Sequence, residues 1–226
     1  MICGGITDIT TARVYDPNGN DETLRSEVKR YCQDDMFDVL DLAATKNPDA
    51  KLAVIGYFPA ISPMTSSGKI LNAWLETLSF PRPFKVFANN PIVRPLFFEK
   101  LRKRAIVRSR IWFEESNKNF RIAVDRINEK YGRQRAVFIE SPLTDDNAAE
   151  APNTLLFRMG KGGVVKDPQA RGRIKDCREA LPELKRSTGI EYSVRLCEVA
   201  AIGHPDPAGS RAYAEAIKSA LRPILR

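Results

Sequence analysis

Apolar positions fall into two patterns along this chain. Two short runs are nearly continuous: residues 51–58, Lys-Leu-Ala-Val-Ile-Gly-Tyr-Phe, bounded by Pro48 and Pro59, and residues 135–139, Arg-Ala-Val-Phe-Ile. Both carry β-branched residues and lack the alternation of a half-exposed strand. They read as strands buried on both faces of a parallel sheet. A third strand is expected at Met1-Ile2-Cys3, broken by Gly4-Gly5. The helical stripes are longer. Leu24, Val28, Tyr31/Cys32, Met36, Val39 and Ala43 recur at three to four residues, and Asn47-Pro48 ends that helix. Phe120, Val124, Ile127 and Tyr131 form a second stripe, with Gly132 placed to cap it. Tyr213, Ile217, Leu221 and Ile224 form a terminal helix. The order strand, helix, strand, helix, strand, helix predicts an α/β domain with a parallel sheet.

Two stretches interrupt this order. Residues 59–98 are rich in Pro, Ser, Asn and aromatics, including Trp74, Phe80, Phe84 and Phe87. Residues 141–176 carry turn residues and Gly-Lys-Gly-Gly at 160–163. Both are expected to be insertions, either surface loops or loops that shape a binding site. With 226 residues, the chain has the length of one large domain. No apolar run is long enough for a membrane span, and Met1 to Gly5 do not read as a signal peptide.

The charge balance adds one question. Thirty-six basic against 28 acidic residues give +8, with one cluster at Lys100, Arg102, Lys103, Arg104, Arg108 and Arg110. No RNA- or DNA-reading motif accompanies it, so a solvated helix face is expected; a nucleic-acid surface would bind with strong salt sensitivity. The four cysteines, Cys3, Cys32, Cys177 and Cys197, form no CxxC pair, and there is a single histidine. Neither a metal site nor an organic cofactor is expected. One or two disulfides are open, with three full pairings for four cysteines.

That histidine, His204, lies in Gly203-His204-Pro205-Asp206-Pro207, just before the terminal helix. Gly and Pro fix the backbone there, and an imidazole titrating near neutrality suits a general base. Gly4-Gly5-Ile6-Thr7-Asp8 follows the first expected strand. Glycines at a strand's carboxyl end let backbone approach a ligand, and ligands of open α/β sheets bind at that edge.

Taken together, these blocks resemble the SGNH hydrolases, the GDSL esterases and lipases. Gly5-Ile6-Thr7-Asp8 falls on the family's Gly-x-Asn-Asp block, and His204-Pro205-Asp206-Pro207-Ala208-Gly209 falls on its histidine block. Tyr31-Cys32-x-x-x-Met36, Ala50-Lys51-x-x-Val54-x-Gly56-Tyr57-Phe58-Pro59 and Trp112-Phe113-x-x-Ser116-Asn117 look like one branch of the family. The resemblance spans essentially the whole chain. It implies one domain over residues 1–226, with a three-layer α/β/α, flavodoxin-like fold around a parallel sheet. It also implies hydrolysis of a carboxylic ester, a lipid, a short-chain ester or an acetylated sugar, by a nucleophilic serine. His204 would be the general base, and Thr7 and Gly5 would lie on the oxyanion side.

The chain departs from the family pattern at several points. No Gly-Asp-Ser nucleophile block occurs, Thr7 stands where the family has Asn, and Ala201 stands where an Asp usually precedes the histidine. The domain is therefore expected to be truncated at its N-terminus, with about three strands present and an exposed strand edge open to self-association. The alternative is a noncatalytic binding or assembly module on the same fold. Two Ser-x-x-Lys spacings, at Ser26 and Ser66, read as chance, and Ser62 and Ser141 read as turn formers before Pro63 and Pro142. A bridge between Cys177 and Cys197 would tether the segment leading to His204, in keeping with the frequent secretion of related hydrolases.

Overall fold

The computed structural model describes residues 1–66, 93–158, 165, 167–189, 194–198 and 200–224. The first two expected strands form as β1 (Leu52–Ile55) and β2 (Ala136–Ile139), paired in parallel with Leu52 opposite Ala136 and Ile55 opposite Ile139. The third strand is reduced to one bridge. Ile2 pairs in parallel with Val54 on the other side of β1, its N–H donating to Ala53 O at 2.8 Å and its carbonyl accepting from Ile55 N at 3.0 Å. All three segments run the same way, so Gly4-Gly5, Gly56-Tyr57 and Glu140-Ser141 leave the sheet at one end. The class is mixed α/β, with helices outweighing a small parallel sheet.

Before β1 come α1 (Ile6–Ile9), α2 (Thr11–Tyr15), α3 (Asp21–Lys29) and α4 (Asp35–Lys46), with a π turn at Arg30–Asp34 joining the last two. The buried stripe here is Leu24, Val28, Cys32, Met36, Leu40 and Ala44. A four-residue step overshoots the 3.6-residue turn by about 40°, so five steps in a straight α-helix would rotate the stripe off its face. The wider π turn takes back about one residue of rotation. The expected positions Val39 and Ala43 are thereby displaced by Leu40 and Ala44, and Val39 is left 48% exposed.

Between the strands runs α5 (Val93–Tyr131). It begins inside the stretch expected to be an insertion; residues 67–92 of that stretch lie outside the described residues. Phe120, Val124 and Ile127 are buried as expected, Tyr131 is half-buried, and Gly132 ends the helix at φ +59°. α3, the π turn and α4 all pack on this helix.

The basic cluster on α5 is not the solvated face expected. Only Lys100 and Lys103 are exposed. Arg108 is 3% exposed and donates to Val14 O at 3.1 Å, Arg13 O at 2.7 Å and Asp21 at 3.0 Å. Arg104 reaches Asp21 at 2.9 Å and Pro17 O at 3.2 Å, and Arg102 reaches Pro63 O and Thr65 O, both at 2.8 Å. Arg110 pairs with Asp145. Guanidinium forks present several donors in one plane, so these side chains gather the carbonyls of irregular segments onto the helix. The Arg104 guanidinium beside Asp21, aided by Arg108, holds the Asp21 carboxyl below its ordinary value.

After β2 come α6 (Ala170–Thr188), α7 (Val194–Glu198) and α8 (Pro207–Leu221). A disulfide joins Cys177 to Cys197 across α6 and α7. Cys3 and Cys32 are free. Among the described residues, no helix is long and apolar enough to cross a membrane.

Candidate functional site

The carboxyl end of the sheet brings Gly4-Gly5 next to Gly56-Tyr57. Gly5 has φ +99°, and a Cβ there would lie 2.9 Å from Cys32 Sγ, so both backbone and space require glycine. Beside it the Tyr57 hydroxyl donates to Gly4 O at 2.9 Å and accepts from Ile6 N at 3.4 Å. The Tyr57 ring packs at 4.7 Å, tilted, on the buried Trp112. Asn117 of α5 grips the other side of the same residue: its Oδ1 accepts from Tyr57 N at 2.8 Å and its Nδ2 donates to Tyr57 O at 2.9 Å. A Cβ on Gly56 would sit 2.7 Å from that Oδ1 and 2.8 Å from the Phe138 ring. Glycine therefore lets the amide close over the end of β1.

The loops that leave β1 and β2 bind each other. Ala149 N donates to Ala60 O at 2.9 Å, Ser62 Oγ to Asp145 O at 2.7 Å, and Ser66 N to Glu150 O at 3.2 Å. The His204 loop is then built onto this pair. Phe157 N donates to His204 O at 2.9 Å, Asp206 N donates to Leu155 O at 2.8 Å, and Leu156 bridges Pro205 in antiparallel fashion. Gly209, one turn into α8, is buried because a Cβ there would lie 2.5 Å from Leu155 O. Asp206 caps α8, its Oδ1 accepting from Ala208 N at 2.8 Å and Gly209 N at 2.9 Å.

His204 is exposed, and among the described residues its imidazole has no hydrogen-bond or ion-pair partner. Asp206 makes no bond to the ring; its Oδ1 caps α8 instead. Thr7 lies in α1, two residues after Gly5; its side chain is outside the described residues. The serines weighed as nucleophiles are engaged otherwise. Ser62 is 1% exposed, its Oγ donating to Asp145 O and accepting from Met64 N. Ser141 Oγ accepts from Leu143 N at 3.1 Å and from the Tyr213 hydroxyl at 2.7 Å. Ser26 lies on the exposed face of α3. Ser66 is exposed, and the lysine of its Ser-x-x-Lys spacing lies outside the described residues.

Tyr57, Asn117 and Tyr213 were not singled out for roles from the sequence. In the sequence Tyr57 and Asn117 are legible only as parts of the family-like blocks, and Tyr213 only as an apolar stripe position. Burial pushes both tyrosine hydroxyls above their ordinary value, so they remain protonated donors. Among the described residues, no group of three or more His, Cys, Asp or Glu side chains could hold a metal ion. No family model, curated protein or solved structure matches this chain.

Proposed function

We propose that this chain is an ester hydrolase domain of the SGNH type, its site lying along the carboxyl ends of the strands. The observation that carries the reading is the attachment of the His204 loop to the segment that leaves β2, with the imidazole exposed. His204 is the general base, accepting the proton of a nucleophilic hydroxyl as that hydroxyl attacks the ester carbonyl. Gly5 and Thr7, at the end of the first parallel segment, lie on the side that receives the developing oxyanion. Donors fixed at such a position are typically worth about 10²–10³ in rate, because they act where charge appears in the transition state. The three-layer α/β/α arrangement is part of this proposal, supported by the shared strand direction and by the helices around the sheet. The substrate class is a carboxylic ester.

Two sequence features favour a second reading, a noncatalytic binding module on the same fold. Gly-Asp-Ser is absent from these residues, and Thr7 replaces the family's Asn. Fluorophosphonate labelling read by peptide mass spectrometry separates the two. A labelled serine that disappears in His204→Ala supports the hydrolase. A label indifferent to His204 removes the base from the mechanism. No label leaves the binding module as the reading for this chain.

A further inference from the structure

One hydroxyl of the helix that follows His204 reaches the segments that leave the sheet. Tyr213 OH donates to Ser141 Oγ at 2.7 Å, just beyond β2, and Gly56 O, at the end of β1, lies 3.3 Å away as a second acceptor. The Tyr213 ring also meets Phe58 edge-on, with centroids 6.3 Å apart. Ser141 is fixed in turn, since its Oγ accepts from Leu143 N at 3.1 Å. One tyrosine therefore touches the segments leaving both strands of the sheet.

From Tyr213 back to the Asp206 cap is seven residues, about 10 Å of helix. That span is one continuous helix: the cap is made, Pro207 occupies the first helical turn, and Gly209 is pressed on Leu155. A helix anchored at both points has its roll and its axial position fixed. His204 lies two residues before the cap, with its own carbonyl bonded to Phe157. Whatever sets the helix sets the backbone that carries the imidazole.

We propose that Tyr213 is a positioning residue, whose hydroxyl on Ser141 and Gly56 fixes α8 and thereby the placement of His204. The inference rests on the reading of His204 as the base, but its test does not need turnover. The chain has one histidine, so its imidazole gives one resonance pair in a carbon–proton spectrum. Tyr213→Phe removes only the hydroxyl. The expected result is a His204 signal that moves by more than its linewidth or splits into several. Ser141→Ala, which removes the acceptor, should move the signal in the same direction, and the double variant should add nothing further. Asp21→Asn, which loosens a remote ion pair, should leave it in place; this separates positioning from a general loss of stability. If Tyr213→Phe fails to fold, Ser141→Ala decides alone. An unmoved His204 signal in a folded Tyr213→Phe overturns the proposal, as does an unmoved signal in Ser141→Ala with Tyr213 ring signals shifted if Tyr213→Phe does not fold. Should the signal move while esters neither bind nor react, the reading of His204 as a base fails and the positioning stands.

Discussion

Gly209→Ala puts the sharpest strain on the account of how His204 is held. The added methyl carbon would lie 2.5 Å from Leu155 O, 3.1 Å from Pro205 Cβ and 3.3 Å from Leu155 Cβ. The first is backbone and cannot swing aside. Ordinary contact begins near 3.4 Å, so the 155–157 segment or α8 must retreat by about 0.9 Å. Overpacking of this kind costs about 1–3 kcal/mol. The retreat also stretches the bonds from Asp206 N to Leu155 O and from Phe157 N to His204 O, each worth about 0.5–1.5 kcal/mol. Alanine returns about 1 kcal/mol of helix propensity. The net loss expected is about 3 kcal/mol, together with detachment of the His204 loop. Gly172, inside α6, provides the contrast, since nothing lies within 4 Å of its would-be Cβ. Gly172→Ala should stabilise by about 0.5–1 kcal/mol. Urea denaturation measures both, and hydrogen exchange at the Asp206 and Phe157 amides locates the damage. A Gly209→Ala variant as stable as wild type, with both amides still protected, would refute the reasoning.

Other expectations follow from the same geometry. Asn117→Ala strands the Tyr57 N–H and C=O at the end of β1 and should cost about 2–4 kcal/mol in denaturant midpoint, with Asn117→Asp, which keeps only the acceptor, in between. Replacing both Cys177 and Cys197 with Ala opens a loop spanning 20 residues; a chain-entropy treatment assigns this about 3 kcal/mol, to be read as a lower urea midpoint. Asp21 has its folded-state carboxyl held below the ordinary value by Arg104, so its contribution is present above the unfolded value and is lost as pH falls through the folded one. Asp21→Asn should therefore lower the melting temperature at neutral pH and flatten its decline on the acid side.

The parallel pairing of β1 and β2 was legible because strands covered on both faces read as unbroken apolar runs. The phase of α4 was not. A π turn is defined by a backbone hydrogen bond that no side chain announces, so Val39 and Ala43 looked as suitable as Leu40 and Ala44. Arg108 was misread for a related reason: a basic stripe on a helix looks solvated unless one knows that the carbonyls of Arg13 and Val14 face it. At the candidate site, Gly5 and His204 stood out through their neighbours in sequence. Tyr213 did not, because its spacing marks a ring packed on a core, and only the fold reveals Ser141 and Gly56 waiting for its hydroxyl.

Titration of the isotope-labelled chain with ethyl butyrate shows whether His204 and Gly5 border one ester-binding site. The lone imidazole and the Gly5 amide are two independent reporters, one on the loop before α8 and one at the end of the first parallel segment. Both signals should shift along one saturation curve, and His204→Ala should weaken the response at Gly5. Shifts that follow different curves, or a Gly5 amide that stays still while the imidazole moves, would contradict it.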